Sequence, residues 1–136
     1  MRPLLNFNNK NIIVAGVGGI GQATVLELAS MGANIIMIDA NEQALNETIF
    51  KLGQGKHSTH ICDFSKVDTI EPLIKNIVKE SGAIDAFVYC VGIGAVRPLK
   101  LSKYEFMRTV MDINFFSFIE MIRCISCLLY TSDAAD

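Results

Sequence analysis

Tryptophan is absent from this 136-residue chain, proline occurs three times and histidine only twice. So few imidazoles leave little material for a histidine-built metal centre, and no metal is expected. Charge of one sign is lacking too: 12 Lys and Arg face 14 Asp and Glu, a net −2. The basic residues are scattered, so the clustered cations that a nucleic-acid binder needs are missing. The longest uncharged stretch, Asn11 to Leu26, carries four glycines, a glutamine and a threonine. That falls short of the roughly 20 apolar residues of a membrane-spanning helix. Met1-Arg2-Pro3-Leu4-Leu5-Asn6 holds only two consecutive apolar residues, which does not make a signal peptide, and the expected location is cytoplasmic. Cys62, Cys90, Cys124 and Cys127 are then expected as reduced thiols. Only the last two form a Cys-x-x-Cys, with no second pair to complete a zinc site.

What the chain does have is a regular alternation of apolar, β-rich runs and helical patterns. Asn11 to Gly16 reads as a strand buried on both faces, followed by a helix from about Gly19 to Met31. Asn34 to Asp39 is a second such strand, and Asn41 to about Leu52 a second helix closed by the Gly53-Gln54-Gly55 turn. Thr59 to Asp63 is the third strand. The helix after it is placed from about Asp68, with Glu71 as its capping-box partner, to Gly82. Ile84 to Val91 is the fourth strand, and Ser102-Lys103-Tyr104-Glu105 is a capping box opening one long helix to about Ile125. Strands joined by helical crossovers predict an α/β fold: a Rossmann-type, doubly wound parallel sheet of about four strands. Strand four should lie beside strand one, with a ligand cleft where the order reverses. Asp85 reads as a structural turn or strand-entry residue. His57 and His60 are read as core or edge residues.

Gly16, Gly18 and Gly21 form a G-x-G-x-x-G pattern between a predicted strand and a predicted helix. Gly16 allows the tight turn, Gly18 lets the backbone approach a pyrophosphate, and Gly21 lets helix and sheet pack closely. The free N–H groups and positive end of the helix would receive the diphosphate. The bland alternative is a glycine-rich turn with no ligand. Asp39 lies eighteen residues beyond Gly21, at the carboxyl end of strand two, where a carboxylate can accept ribose hydroxyls. Its other reading is a cap for the following helix, and the two roles coexist. Asp39 would repel a 2′-phosphate and no cation stands beside it, so NAD is expected over NADP.

Over Asn9 to about Ser126 the chain resembles the short-chain dehydrogenase/reductase family. Asp63 in Cys62-Asp63-Phe64-Ser65 matches the family's adenine-contacting Asp. Tyr89-Cys90-Val91-Gly92 stands where the family carries Asn-Asn-Ala-Gly, agreeing only at Gly92, and the glycine loop is one residue shorter than the family's usual form. Met111-Asp112-Ile113-Asn114-Phe115-Phe116-Ser117 resembles the helix bearing the family's catalytic Asn. The resemblance implies an NAD(P)-dependent oxidoreductase that moves hydride between nicotinamide and a small carbonyl/alcohol substrate. It implies cofactor contacts at Gly16, Gly18, Gly19, Ile20, Gly21, Asp39, Asp63, Phe64, Cys90 and Gly92, with Asn114 catalytic.

The family's catalytic Ser and Tyr-x-x-x-Lys are not matched by any of the three tyrosines, so the chain as given is expected to be inactive. The final ten residues resemble a translated sequencing adapter. The expected organisation is therefore an incomplete dinucleotide-binding domain over 1–126 and a non-native tail over 127–136, from a parent that forms homo-oligomers. A non-catalytic regulatory NAD-binding module is the alternative.

Overall fold

A computed structural model describes residues 4–94 and 96–133. Four strands form one parallel sheet: β1 (Asn11–Ala15), β2 (Asn34–Asp39), β3 (Ser58–Ile61) and β4 (Ala86–Tyr89), in the order β3-β2-β1-β4. Helices α1 (Gly19–Ser30), α2 (Glu42–Leu52) and α3 (Ile70–Ser81) make the crossovers. After β4 come α4 (Tyr104–Met111), a π-helical turn over Asp112–Phe116, and α5 (Ser117–Asp133). The expected order holds, with β4 beside β1 and the reversal between them.

Alternation along the strands divides the interior in two. Ile13, Ala15, Ile36 and Ile38 join Ile70, Ile74 and Ile77 of α3 and Met121 and Cys124 of α5 on one face. Ile12, Val14, Ile35 and Met37 join Val25 of α1 and Leu45 of α2 on the other. Burial on both faces is why β1 and β2 read as unbroken apolar runs. Each fully buried Ile contributes about 1.5–3 kcal/mol over leaving it exposed.

Asp85 stands immediately before β4. Its carboxylate accepts the Asn11 N–H at 2.8 Å, its own N–H donates to the Asn11 carbonyl at 2.8 Å, and Lys10 lies 3.6 Å away. Asn41 caps α2, its side-chain oxygen accepting from the Ala44 N–H at 3.1 Å. Neither expected capping box forms. A 3-10 turn over Val67–Thr69 precedes α3, which begins at Ile70 with Pro72 in its first turn, where a missing N–H costs nothing. Glu71 turns outward to Lys75 at 2.7 Å and to Arg123 at 2.9 Å. Likewise α4 starts after Lys103, without a side-chain cap, and the Ser102 hydroxyl donates back to the Pro98 carbonyl. The last helix passes its expected end near Ile125 and continues to Asp133, since Ser126 to Leu129 contain neither Gly nor Pro to stop it. No helix among the described residues is long and apolar enough to cross a membrane.

Both histidines are half-buried, His57 just before β3 and His60 within it. The His57 Nδ1 accepts the Ile35 N–H at 3.1 Å, so the ring must be unprotonated there, and burial holds its pKa below the ordinary 6.5. Burial lowers His60 as well. Between the lowered folded value and 6.5 the unfolded chain binds more protons, so this stability is complete above pH 6.5 and is lost as pH falls through that window. Thermal melts of wild type and His57→Ala are expected to differ at pH 7.5, by less than about 1 kcal/mol, and the gap to narrow as pH falls below 6.5. A gap that widens on acidification contradicts this.

Candidate functional site

β1 leaves the sheet at Gly16, whose φ of +85° is closed to most side chains. A Cβ there would also stand 2.7 Å from the Cys90 carbonyl carbon, because the chain leaving β4 passes directly over the loop. Gly21 meets a tighter limit: its Cβ would lie 1.6 Å from the Gly16 carbonyl oxygen. Glycine at both positions lets α1 begin against the end of β1. Gly18 is the N-cap of α1, with no side chain bonded to the helix start and no acidic residue in the first turn. Cβ atoms at Gly18 and Gly19 would meet nothing within 4 Å. The first amides of a helix lack intrahelical acceptors, so this open space faces a donor-rich, positive helix end.

Asp39 fixes the loop from the side. Its Oδ2 accepts the Val17 N–H at 2.7 Å and its Oδ1 the Asn41 N–H at 2.8 Å. One carboxylate thus ties the glycine loop to the start of α2, and each oxygen keeps a lone pair for a ligand hydroxyl. The expected cap role passes to Asn41: Asp39 holds the Asn41 N–H, and it is the Asn41 side chain that caps α2. Asp63 accepts from the Ser65 hydroxyl at 2.6 Å and the Ser65 N–H at 3.0 Å. These bonds, the hydroxyl first, hold its carboxyl below the usual carboxylate range, so it is ionised at neutral pH.

Gly16, Gly18, Asp39, Ala40, Asp63, Phe64, Cys90, Val91, Gly92, Ile93 and Ile113 line one cavity of about 410 Å³ at the carboxyl ends of the strands. Seven of the sequence-predicted residues therefore share a single cleft: Gly16, Gly18, Asp39, Asp63, Phe64, Cys90 and Gly92. Phe64 does so from a buried position, 4% exposed and edge-on to Tyr89. Gly19 and Ile20 sit on the first turn of α1 outside the lining, Ile20 at 80% exposure, and Gly21 lies behind the loop. Asn114 is likewise outside the lining. Its side chain grips Ile93, donating to the Ile93 carbonyl and accepting the Ile93 N–H, both at 2.8 Å. It holds the cleft's edge in place.

Sequence reasoning missed Ala40, Val91, Ile93 and Ile113 on the wall, and the anchoring of the π-helical turn by Tyr89 and Ser117. Their chain neighbours Asp39, Gly92 and Asn114 were the available signal for the four. Among the described residues, Glu71, Glu120 and Cys124 lie close enough to share an ion, but Arg123 already pairs with both carboxylates. All four cysteines are free thiols.

The family model described as short chain dehydrogenase matches residues 10–135. Among curated proteins, a glucose 1-dehydrogenase of Gluconobacter oxydans is 31% identical over 112 residues, covering 79% of this chain and 42% of its own length. The chain thus spans less than half of that relative. Among solved structures, NAD+-bound xylitol dehydrogenase is 27% identical with a TM-score of 0.81, covering 93% of this chain and 50% of that one. A metagenomic short-chain oxidoreductase in complex with NADP shares the fold, with a TM-score of 0.86 at 22% identity, over 93% of this chain and 59% of its own.

Proposed function

The chain belongs to the short chain dehydrogenase family, and from that premise we propose that it forms the dinucleotide-binding part of an NAD(P)-dependent oxidoreductase site. The observation that carries the reading is the Asp39 carboxylate bonded to the Val17 amide, beside the open start of α1 and on the same cavity as Asp63 and Gly92.

The residues fit a dinucleotide. Open space above Gly18 and Gly19 admits the diphosphate to the amides of α1. Asp39 accepts the adenosine ribose hydroxyls, and Asp63 with Phe64 bounds the adenine. Cys90 and Gly92 shape the floor toward the other end, where Asn114 holds Ile93. Asn114 takes part in the catalytic set that the family resemblance implies. When bound, the nicotinamide supplies hydride transfer with a small carbonyl or alcohol substrate. None of the three tyrosines has a Lys four positions on, so the Tyr-x-x-x-Lys that would handle the substrate's proton in that family is not matched here. NAD is favoured over NADP because Asp39 places negative charge where a 2′-phosphate would lie. A homo-oligomeric parent is supported by the exposed Phe115, Phe116, Ile119 and Ile122 after α4.

Titration of the chain with NADH, followed by nicotinamide fluorescence, tests the reading. Saturable binding in the range of about 1 μM to 1 mM is expected, displaced by ADP, which shares the diphosphate and adenosine. Fluorescence that rises linearly with no saturation, or that ADP leaves unchanged, overturns it.

A further inference from the structure

The widened turn at Asp112–Phe116 interrupts an otherwise α-helical run from Tyr104 to Asp133. Such turns are rare, occur mostly as single turns inside α-helices and are frequent at functional sites, and this one is supported from outside the helix. Here the support comes from β4. The Tyr89 hydroxyl lies 2.5 Å from the Ile113 carbonyl oxygen, which also accepts from the Ser117 hydroxyl at 2.8 Å. The Tyr89 and Ser117 hydroxyls are themselves within hydrogen-bond reach. Two protons therefore serve three oxygens.

Ser117 is fully buried, so these bonds are made out of water. The Tyr89 ring is held by Phe64 at 6.1 Å, Phe87 at 6.0 Å and Phe118 at 5.2 Å, which leaves its hydroxyl little freedom to swing away. Burial raises the phenol above its ordinary pKa, so it keeps its proton.

Ile113 lines the cleft, and the next residue, Asn114, clamps Ile93 on the facing loop. The family pattern places Asn where this chain has Tyr89, and an Asn side chain is too short to reach across as the phenol does. We propose that Tyr89 is a positioning residue: its hydroxyl holds the π-helical turn in register so that Asn114 fastens Ile93 at the rim of the cleft. The consequence for ligand affinity rests on the dinucleotide reading above; the mechanical role does not.

Amide hydrogen exchange on the ligand-free chain separates the two. Tyr89→Phe keeps the ring and removes the hydroxyl. It is expected to speed exchange at the Ile93 amide about tenfold, the weight of one hydrogen bond, with the β1 amides unchanged. Ser117→Ala, which removes the second donor to Ile113, is expected to move Ile93 in the same direction. Phe87→Leu, which trims the ring cluster and leaves the hydroxyl, is expected to lower the melting temperature without changing the ratio of Ile93 to β1 exchange. In NADH titrations Tyr89→Phe should weaken binding several-fold. If Ile93 exchange is unchanged in both Tyr89→Phe and Ser117→Ala, or rises only in parallel with β1, the role is wrong. If wild type binds no NADH while Tyr89→Phe still frees Ile93, the dinucleotide reading fails and the positioning role stands.

Discussion

Gly21→Ala is expected to abolish dinucleotide binding and to lower the melting temperature sharply, whereas Gly18→Ala should abolish binding alone. The difference lies in what each new methyl group meets. At Gly21 it would sit 1.6 Å from the Gly16 carbonyl oxygen, which is backbone and cannot rotate aside. Either α1 slides away from β1 or Gly16 leaves its turn, and overpacking of this kind costs about 1–3 kcal/mol or more. Against a total stability of about 5–15 kcal/mol that is a large fraction. At Gly18 the methyl meets nothing within 4 Å and occupies only the space above the helix start. Circular-dichroism melts paired with NADH titration check both. A Gly18→Ala chain that binds as well as wild type would show that no diphosphate uses that space.

Asp39→Asn should move nucleotide preference toward NADPH by about tenfold or more while weakening NADH. A unit charge pair 4 Å apart interacts by about 1 kcal/mol in bulk water and about 4 kcal/mol near a protein surface. Removing the carboxylate's charge relieves that repulsion of a 2′-phosphate. It also leaves one of the Val17 and Asn41 amides facing an NH2 group where an oxygen stood, so the loop loosens for either nucleotide. Dissociation constants for NADH and NADPH on both chains give the ratio directly, and an unchanged ratio contradicts the placement of the ribose.

The sheet order was readable in advance because β1 and β2 are apolar on both faces and each crossover is long enough for a helix. The glycine positions were readable because steric exclusion is a local property: Gly16 and Gly21 are forced by atoms a few residues away or at the end of a neighbouring strand. Capping boxes misled for the opposite reason. Ser102 and Glu105, or Asp68 and Glu71, have the right spacing, but the 3-10 turns over Val67–Thr69 and Leu99–Leu101, which precede α3 and α4, set where the first free amides fall. Nothing in the run from Met111 to Ser117 announces a π-helical turn. It depends on a hydroxyl supplied by Tyr89, twenty-four residues upstream of Ile113. The reach of Asn114 to Ile93 is hidden for the same reason.

The two walls of the cleft differ in how much chain must be brought together to build them. The Val17–Asp39 bond joins residues 22 positions apart, whereas the Asn11–Asp85 contact that docks β4 spans 74. Loop-closure entropy grows only logarithmically, so the wider loop costs about 1 kcal/mol more. The wall that carries Asp39 belongs to the contiguous β1-α1-β2 unit, and the opposite wall waits on the return of a distant strand.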